Sequence, residues 1–117
     1  MSLTRGDVVI AMFPNSDGSP PKPRPALVVQ SDSYSAKLRN VILVAITSNL
    51  KHAGDPASLL IQTQSAEGIS SGLRVDSIVS CLNVATVEST LIARRIGHLS
   101  STLMNQVDSR LRLVFGL

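Results

Sequence analysis

Cysteine is nearly absent: Cys81 is the only one in 117 residues. That excludes an internal disulfide and a cysteine-built zinc site. Cys81 sits in an apolar, strand-like run, where an inert buried thiol is the expectation. Aromatic residues are equally scarce, with two Phe, one Tyr and no Trp. The core must therefore be aliphatic, and stacking platforms for nucleic-acid bases are nearly missing. Any polyanion would be held by Arg, Lys and neutral polar groups. No long hydrophobic run exists. The longest, Val41 to Ile46, is far too short to span a bilayer. The N-terminus has no basic segment followed by an apolar stretch, so no signal peptide is read there and a cytoplasmic protein is expected.

What is present suits one globular domain, residues 1–117, with 44% hydrophobic residues. The net charge of +3 comes from 11 basic and 8 acidic residues. This mild excess is compatible with a polyanionic partner.

Short apolar runs alternate with turn-forming segments. Strands are expected at Asp7 to Phe13, Ala26 to Gln30, Val41 to Thr47, Ser58 to Gln62, Leu73 to Leu82 and Leu91 to Ile96. Pro14 to Pro23 reads as a loop, longer than the ~2–5 residues of a usual hairpin connection. Ser31 to Asn40 is polar with room for a helical turn, and Ser48 to Pro56 is a second loop. In Ser65 to Gly72, Gly72 can supply a positive φ. Asn83 to Glu88 reads as a turn. The period then changes. Leu103, Met104, Val107, Leu111 and Val114 recur at three and four, predicting a helix from Ser101 to Phe115 with Ser100 or Ser101 as N-cap and Gly116 as its stop. Five to seven short strands and one C-terminal helix predict a small mainly-β barrel, since closure best manages the edges of so small a sheet.

Three stretches carry possible chemistry. In a strand Arg74 and Asp76 would stand on one face. A guanidinium beside a carboxylate can be a plain ion pair or half of a phosphate-transfer site. Arg24 lies before Pro25, and Thr47-Ser48 ends an apolar run; each also has an ordinary reading, as a loop charge and a strand end. His52 lies in the loop after Thr47 and His98 before the last helix; without a positioned partner, each reads as a surface histidine before a general acid or base. Arg94 and Arg95 read as a solvated or polyanion-facing basic rim rather than a catalytic pair.

In order, the chain carries Arg5-Gly6-Asp7-Val8-Val9, Arg24-Pro25-Ala26-Leu27-Val28-Val29, Ala45-Ile46-Thr47-Ser48, Arg74-Val75-Asp76 and Ala93-Arg94-Arg95-Ile96-Gly97-His98-Leu99. This pattern, spread over nearly the whole chain, resembles the MazF/PemK/Kid family of type II toxin–antitoxin toxins. The resemblance implies an SH3-like barrel, a homodimer, and a metal-independent endoribonuclease that cleaves single-stranded mRNA without a cofactor. It also implies a cognate antitoxin through which alone DNA is reached. The catalytic residues carried over are Arg24, Thr47, Arg74 and Asp76, and the Arg-x-Asp pair resembles the Kid/PemK branch. Ser48, Lys22, Lys51 and His52 are candidate RNA contacts. The chain departs from many relatives in having no Arg-Thr after Asp76, and from some Kid-like members in having no His in its first loop.

On this reading the ribose 2′-hydroxyl attacks the adjacent phosphorus. Asp76 takes its proton, and Arg24 and Arg74 hold the phosphoryl oxygens as bidentate donors. Thr47 bonds the phosphate or the ribose. Arginine, with a pKa above about 12, is a reluctant acid, so Arg74 is given charge stabilisation; water or a histidine can protonate the leaving 5′-oxygen. Two alternatives share the architecture. One is a gyrase-binding toxin like CcdB, acting through a C-terminal tail, here Val114-Phe115-Gly116-Leu117. The other is an inactive binding module.

Overall fold

The computed structural model describes residues 2–117. The first run of β-branched residues forms β1, Asp7–Phe13. It pairs with β2, Lys22–Val28, which in turn pairs with β3, Asn40–Thr47. Between β2 and β3 lies a single helical turn, α1, Asp32–Ser35, capped by the Ser31 side chain. β4 is Ser58–Ile61, β5 is Ser77–Glu88 and β6 is Ile92–His98. All pairings are antiparallel, and the six strands follow the order β4-β5-β3-β2-β1-β6. The C-terminal helix α2 spans Ser101–Phe115, as its apolar period predicts. Ser100 is its N-cap, accepting from the Leu103 N–H, and Gly116 ends it at φ 72°.

Two sets of side chains form the core, one from each face of the coiled sheet. Val8, Leu27, Val44, Ile46, Leu59, Val79 and Cys81 pack under Leu103, Met104 and Val107 of α2. On the opposite face Val9, Ala11, Phe13, Ala26, Leu43, Ala45, Val87 and Ile92 pack together. The period of two along β1, β2 and β3 divides neighbours between these clusters, which is why those strands read as continuously apolar. Burial pushes the Cys81 thiol up to about 11, as suits an inert core cysteine.

The expected boundaries need correction at both ends of β2, at Leu73 to Asp76, at Asn83 to Glu88, and at β6, which runs to His98 rather than Ile96. β2 begins earlier than Ala26, with Pro23 and Pro25 inside it. Its pairing with β3 starts only at Ala26, so both prolines lie where β2 has β1 alone beside it. β2 also ends before Gln30, whose buried side chain takes over: its amide donates to the Asn40 carbonyl, and its oxygen accepts from the Ile42 N–H. The largest correction concerns Leu73 to Asp76, which is not strand. Here Ser71 Oγ accepts from the Leu73 N–H, and the Ser77 hydroxyl donates to the Val75 carbonyl. β5 starts at Ser77 and continues through Asn83 to Glu88, where a turn was expected. It absorbs extra residues at a register shift opposite Val44 and Ala45.

The fold is barrel-like, but its edge strands β4 and β6 are not hydrogen-bonded to each other. The segment between β4 and β5 fills the gap by lying on β6. A Cβ on Gly72 (φ 74°) would overlap the Ile96 carbonyl, and one on Gly97 would overlap the Ser71 carbonyl. Only glycine at both positions permits this backbone approach. No helix among the described residues is long and apolar enough to cross a membrane.

Candidate active site

Arg24 and Thr47 meet through strand register. β2 and β3 pair as Ala26 with Ala45 and Leu27 with Val44. Continued past the last paired residues, this register sets Arg24 opposite Thr47. Both are partly buried, and both line a groove of about 280 Å³ together with Asn15, Asp17, Ser80 and Asn83. Thr47 Oγ1 accepts from the Asn49 N–H at 3.1 Å. Its hydroxyl hydrogen is thus left to donate to an anion. The Asp17 carboxyl is held below its ordinary range by the Ser19 hydroxyl and N–H, with a smaller contribution from the Arg24 charge.

The next residue after each, Pro25 in β2 and Ser48 just past the end of β3, faces the other way. Pro25 and Ser48 line a second groove of about 430 Å³ with Arg74, Arg94, Leu73 and Ile96. Arg24-Pro25 and Thr47-Ser48 therefore form a ridge, and each pair gives one residue to each groove. Arg74 and Arg94 are exposed, and neither takes part in a salt bridge among the described residues.

Arg74 and Asp76 do not form the ion pair that a strand would have allowed. Asp76 Oδ1 instead accepts from the Thr63 N–H at 2.9 Å and from its hydroxyl at 3.2 Å. This anchors the loop just beyond the end of β4 and leaves Oδ2 without a hydrogen bond among the described residues. Asp76 lines neither groove. Of the candidate RNA contacts, Ser48 lines the larger groove. Lys22, Lys51 and His52 are exposed and line neither. The loop holding Lys51 and His52 is a chain of tight turns: Lys51 N–H to Asn49 Oδ1, Asp55 N–H to the His52 carbonyl, and Ala57 N–H to Asp55 Oδ1.

Arg95 and His98 are drawn into a structural cluster. Buried Asp7 accepts from Arg95 Nη1 at 3.0 Å, pairs with His98 Nδ1 at 2.8 Å, and accepts from the Thr4 N–H and hydroxyl. Arg95 thus belongs to this clamp, and only Arg94 of the expected basic rim reaches a groove. Among the described residues no group of three or more His, Cys, Asp or Glu side chains is placed to hold a metal ion.

A family model described as the PemK-like, MazF-like toxin of type II toxin–antitoxin systems matches residues 4–115. The chain belongs to this family. The endoribonuclease MazF2 of Mycobacterium bovis is 34% identical to this PemK-like chain over 119 residues, covering 100% of both. The structure of the Mycobacterium tuberculosis toxin MazF-mt6 has the same fold, with a TM-score of 0.76 at 24% identity, covering 95% of this chain and 97% of that one. An endoribonuclease from a mycobacterial species, solved in complex with its cognate antitoxin, gives a TM-score of 0.77 at 18% identity over 98% and 96% of the two chains.

Proposed function

We propose that this chain is the toxin of a type II toxin–antitoxin pair. It arrests growth as an endoribonuclease on single-stranded mRNA, with no metal ion in the reaction. The observation that carries this reading is the ridge formed by Arg24-Pro25 and Thr47-Ser48, with Arg24 and Thr47 lining the groove on one side and Ser48 and Arg74 lining the groove on the other. On this reading a phosphate seated on the ridge draws one guanidinium and one hydroxyl from each side. Family membership and the endoribonuclease relatives support the same assignment.

In this mechanism the 2′-oxygen forms a bond to phosphorus as the bond to the 5′-oxygen breaks. Asp76 is itself outside both grooves but stands between Val75 and Ser77 of the larger one, and we assign the hydroxyl proton to its Oδ2 while Thr63 keeps Oδ1 fixed. Arg24 and Arg74 neutralise the crowded phosphoryl oxygens, and Thr47 donates its hydroxyl hydrogen. Water protonates the departing 5′-oxygen. The products are a 2′,3′-cyclic phosphate and a 5′-hydroxyl. The toxin works in the cytoplasm as a homodimer, is silenced by its antitoxin, and reaches DNA only through it. The antitoxin complex solved for a mycobacterial relative supports that partnership. The test is a substrate with 2′-deoxyribose at one cleaved position. Cleavage should vanish there and persist at all-ribose sites, whereas cleavage at the deoxy position would refute 2′-hydroxyl attack.

A further inference from the structure

We infer that the Arg74–Arg94 groove seats the nucleotide next to the scissile phosphate, with Arg94 holding that nucleotide's outer phosphate. The inference rests on the ribonuclease reading above and extends it to a residue outside the catalytic set. The groove is amphipathic in a way that suits a nucleotide. Ile10, Leu73 and Ile96 give it an apolar lining, Ser48 and Ser77 add hydroxyls, and Arg74 and Arg94 supply its positive charge. Its volume of about 430 Å³ lies within the ~300–1,000 Å³ of small-molecule sites.

Charge complementarity selects the occupant. Arg5 and Arg95 are spent on Asp108 and Asp7, but Arg74 and Arg94 have no carboxylate partner among the described residues. Two unneutralised guanidiniums beside an apolar lining match a base flanked by phosphates better than an apolar helix. Position agrees. Arg74 lines the same groove as the ridge residues Pro25 and Ser48, and Arg94 is on β6, opposite Ile10 in β1. A strand crossing the ridge would place one phosphate on it, drop a base into the groove and bring the next phosphate to Arg94. The dearth of aromatic residues is met in this way, since an aliphatic slot replaces a stacking platform.

Arg94 is exposed, so Arg94→Gln should fold like the wild type. The probe is a single-stranded RNA blocked by 2′-deoxyribose at the scissile position, with binding measured across salt concentrations. Arg94→Gln should bind about tenfold more weakly at low salt. The slope of log K against log salt should fall by about 0.7, the value for one phosphate contact on a single strand. Arg94→Lys should restore the slope. An abasic residue beside the scissile bond should weaken wild-type binding on one side only. Wild-type affinity and slope in Arg94→Gln, or indifference to abasic residues on both sides, would overturn the inference while leaving the ribonuclease reading intact. Failure of the wild type to bind or cleave RNA at all would overturn both.

Discussion

Replacing Asp7 by asparagine should be among the most damaging single-atom changes in this chain. The Asp7 side chain is only 3% exposed and accepts four hydrogen bonds: two from Thr4 and one each from Arg95 and His98. Burial pushes its carboxyl up, but bonds from the Thr4 N–H, His98, Arg95 and the Thr4 hydroxyl outweigh this and hold it below the ordinary carboxylate range. A hydrogen bond to a charged group contributes roughly 1.5–3 kcal/mol. Arg95 and His98, with side chains 46% and 52% exposed, turn to water when released, so each adds less than about 1 kcal/mol. Asparagine can still accept at one oxygen but must aim its NH2 at a donor. The sum is a loss of about 3 kcal/mol at pH 7, equivalent to roughly 10–15 °C in Tm for a domain of this size. The sign of the pH dependence follows from the depressed folded pKa. The carboxylate's contribution is complete above the unfolded value near 3.8 and is lost as pH falls through the lower folded value. Urea unfolding of both proteins from pH 7 to pH 2.5, at one protein concentration, should show the gap closing below about pH 4. A loss under about 1 kcal/mol at pH 7, or a gap that persists unchanged at pH 2.5, would refute the reasoning.

Other outcomes follow from the same geometry. Gly97→Ala drives a Cβ into the Ser71 carbonyl, so it should cost more than about 2 kcal/mol; an unchanged urea midpoint would contradict the fit between β6 and the segment beneath it. Thr63→Val removes only the hydroxyl bond to Asp76 and should slow RNA cleavage by about tenfold with the melting temperature nearly unchanged, whereas a full rate would deny Thr63 a positioning role. Thr47→Ser should keep most cleavage and Thr47→Val should lose about 100-fold in kcat, because only the hydroxyl is asked to donate; equal rates would remove Thr47 from the site.

Helix α2 was legible to the residue because three local signals agree: the apolar period, the Ser100 cap and the Gly116 stop. β1 was legible for a similar reason, as a nearly continuous apolar run of Val, Ile, Ala, Met and Phe. Leu73 to Asp76 misled because its polar–apolar alternation imitates a strand. What prevents the strand is partly local, in the serine-made turns, and partly distant, in the contact of Gly72 with Ile96. No periodicity records that contact. The mixed composition of Asn83 to Glu88, without a clear apolar run, hid the far half of β5, which is paired along its length with β3. The site was legible as types of residue but not as an arrangement. That Arg24 faces Thr47, and that Arg94 but not Arg95 reaches a groove, depends on strand register and on Asp7.

The central claim is tested most directly by incubating a long single-stranded RNA in EDTA with the wild type, Asp76→Ala and Arg24→Ala, each checked for folding. Wild-type cleavage at a few recurrent sites, leaving 2′,3′-cyclic phosphate ends, with loss of about 100-fold or more in both variants, is the predicted result. Equal cleavage by all three proteins, or none by the wild type, would contradict it.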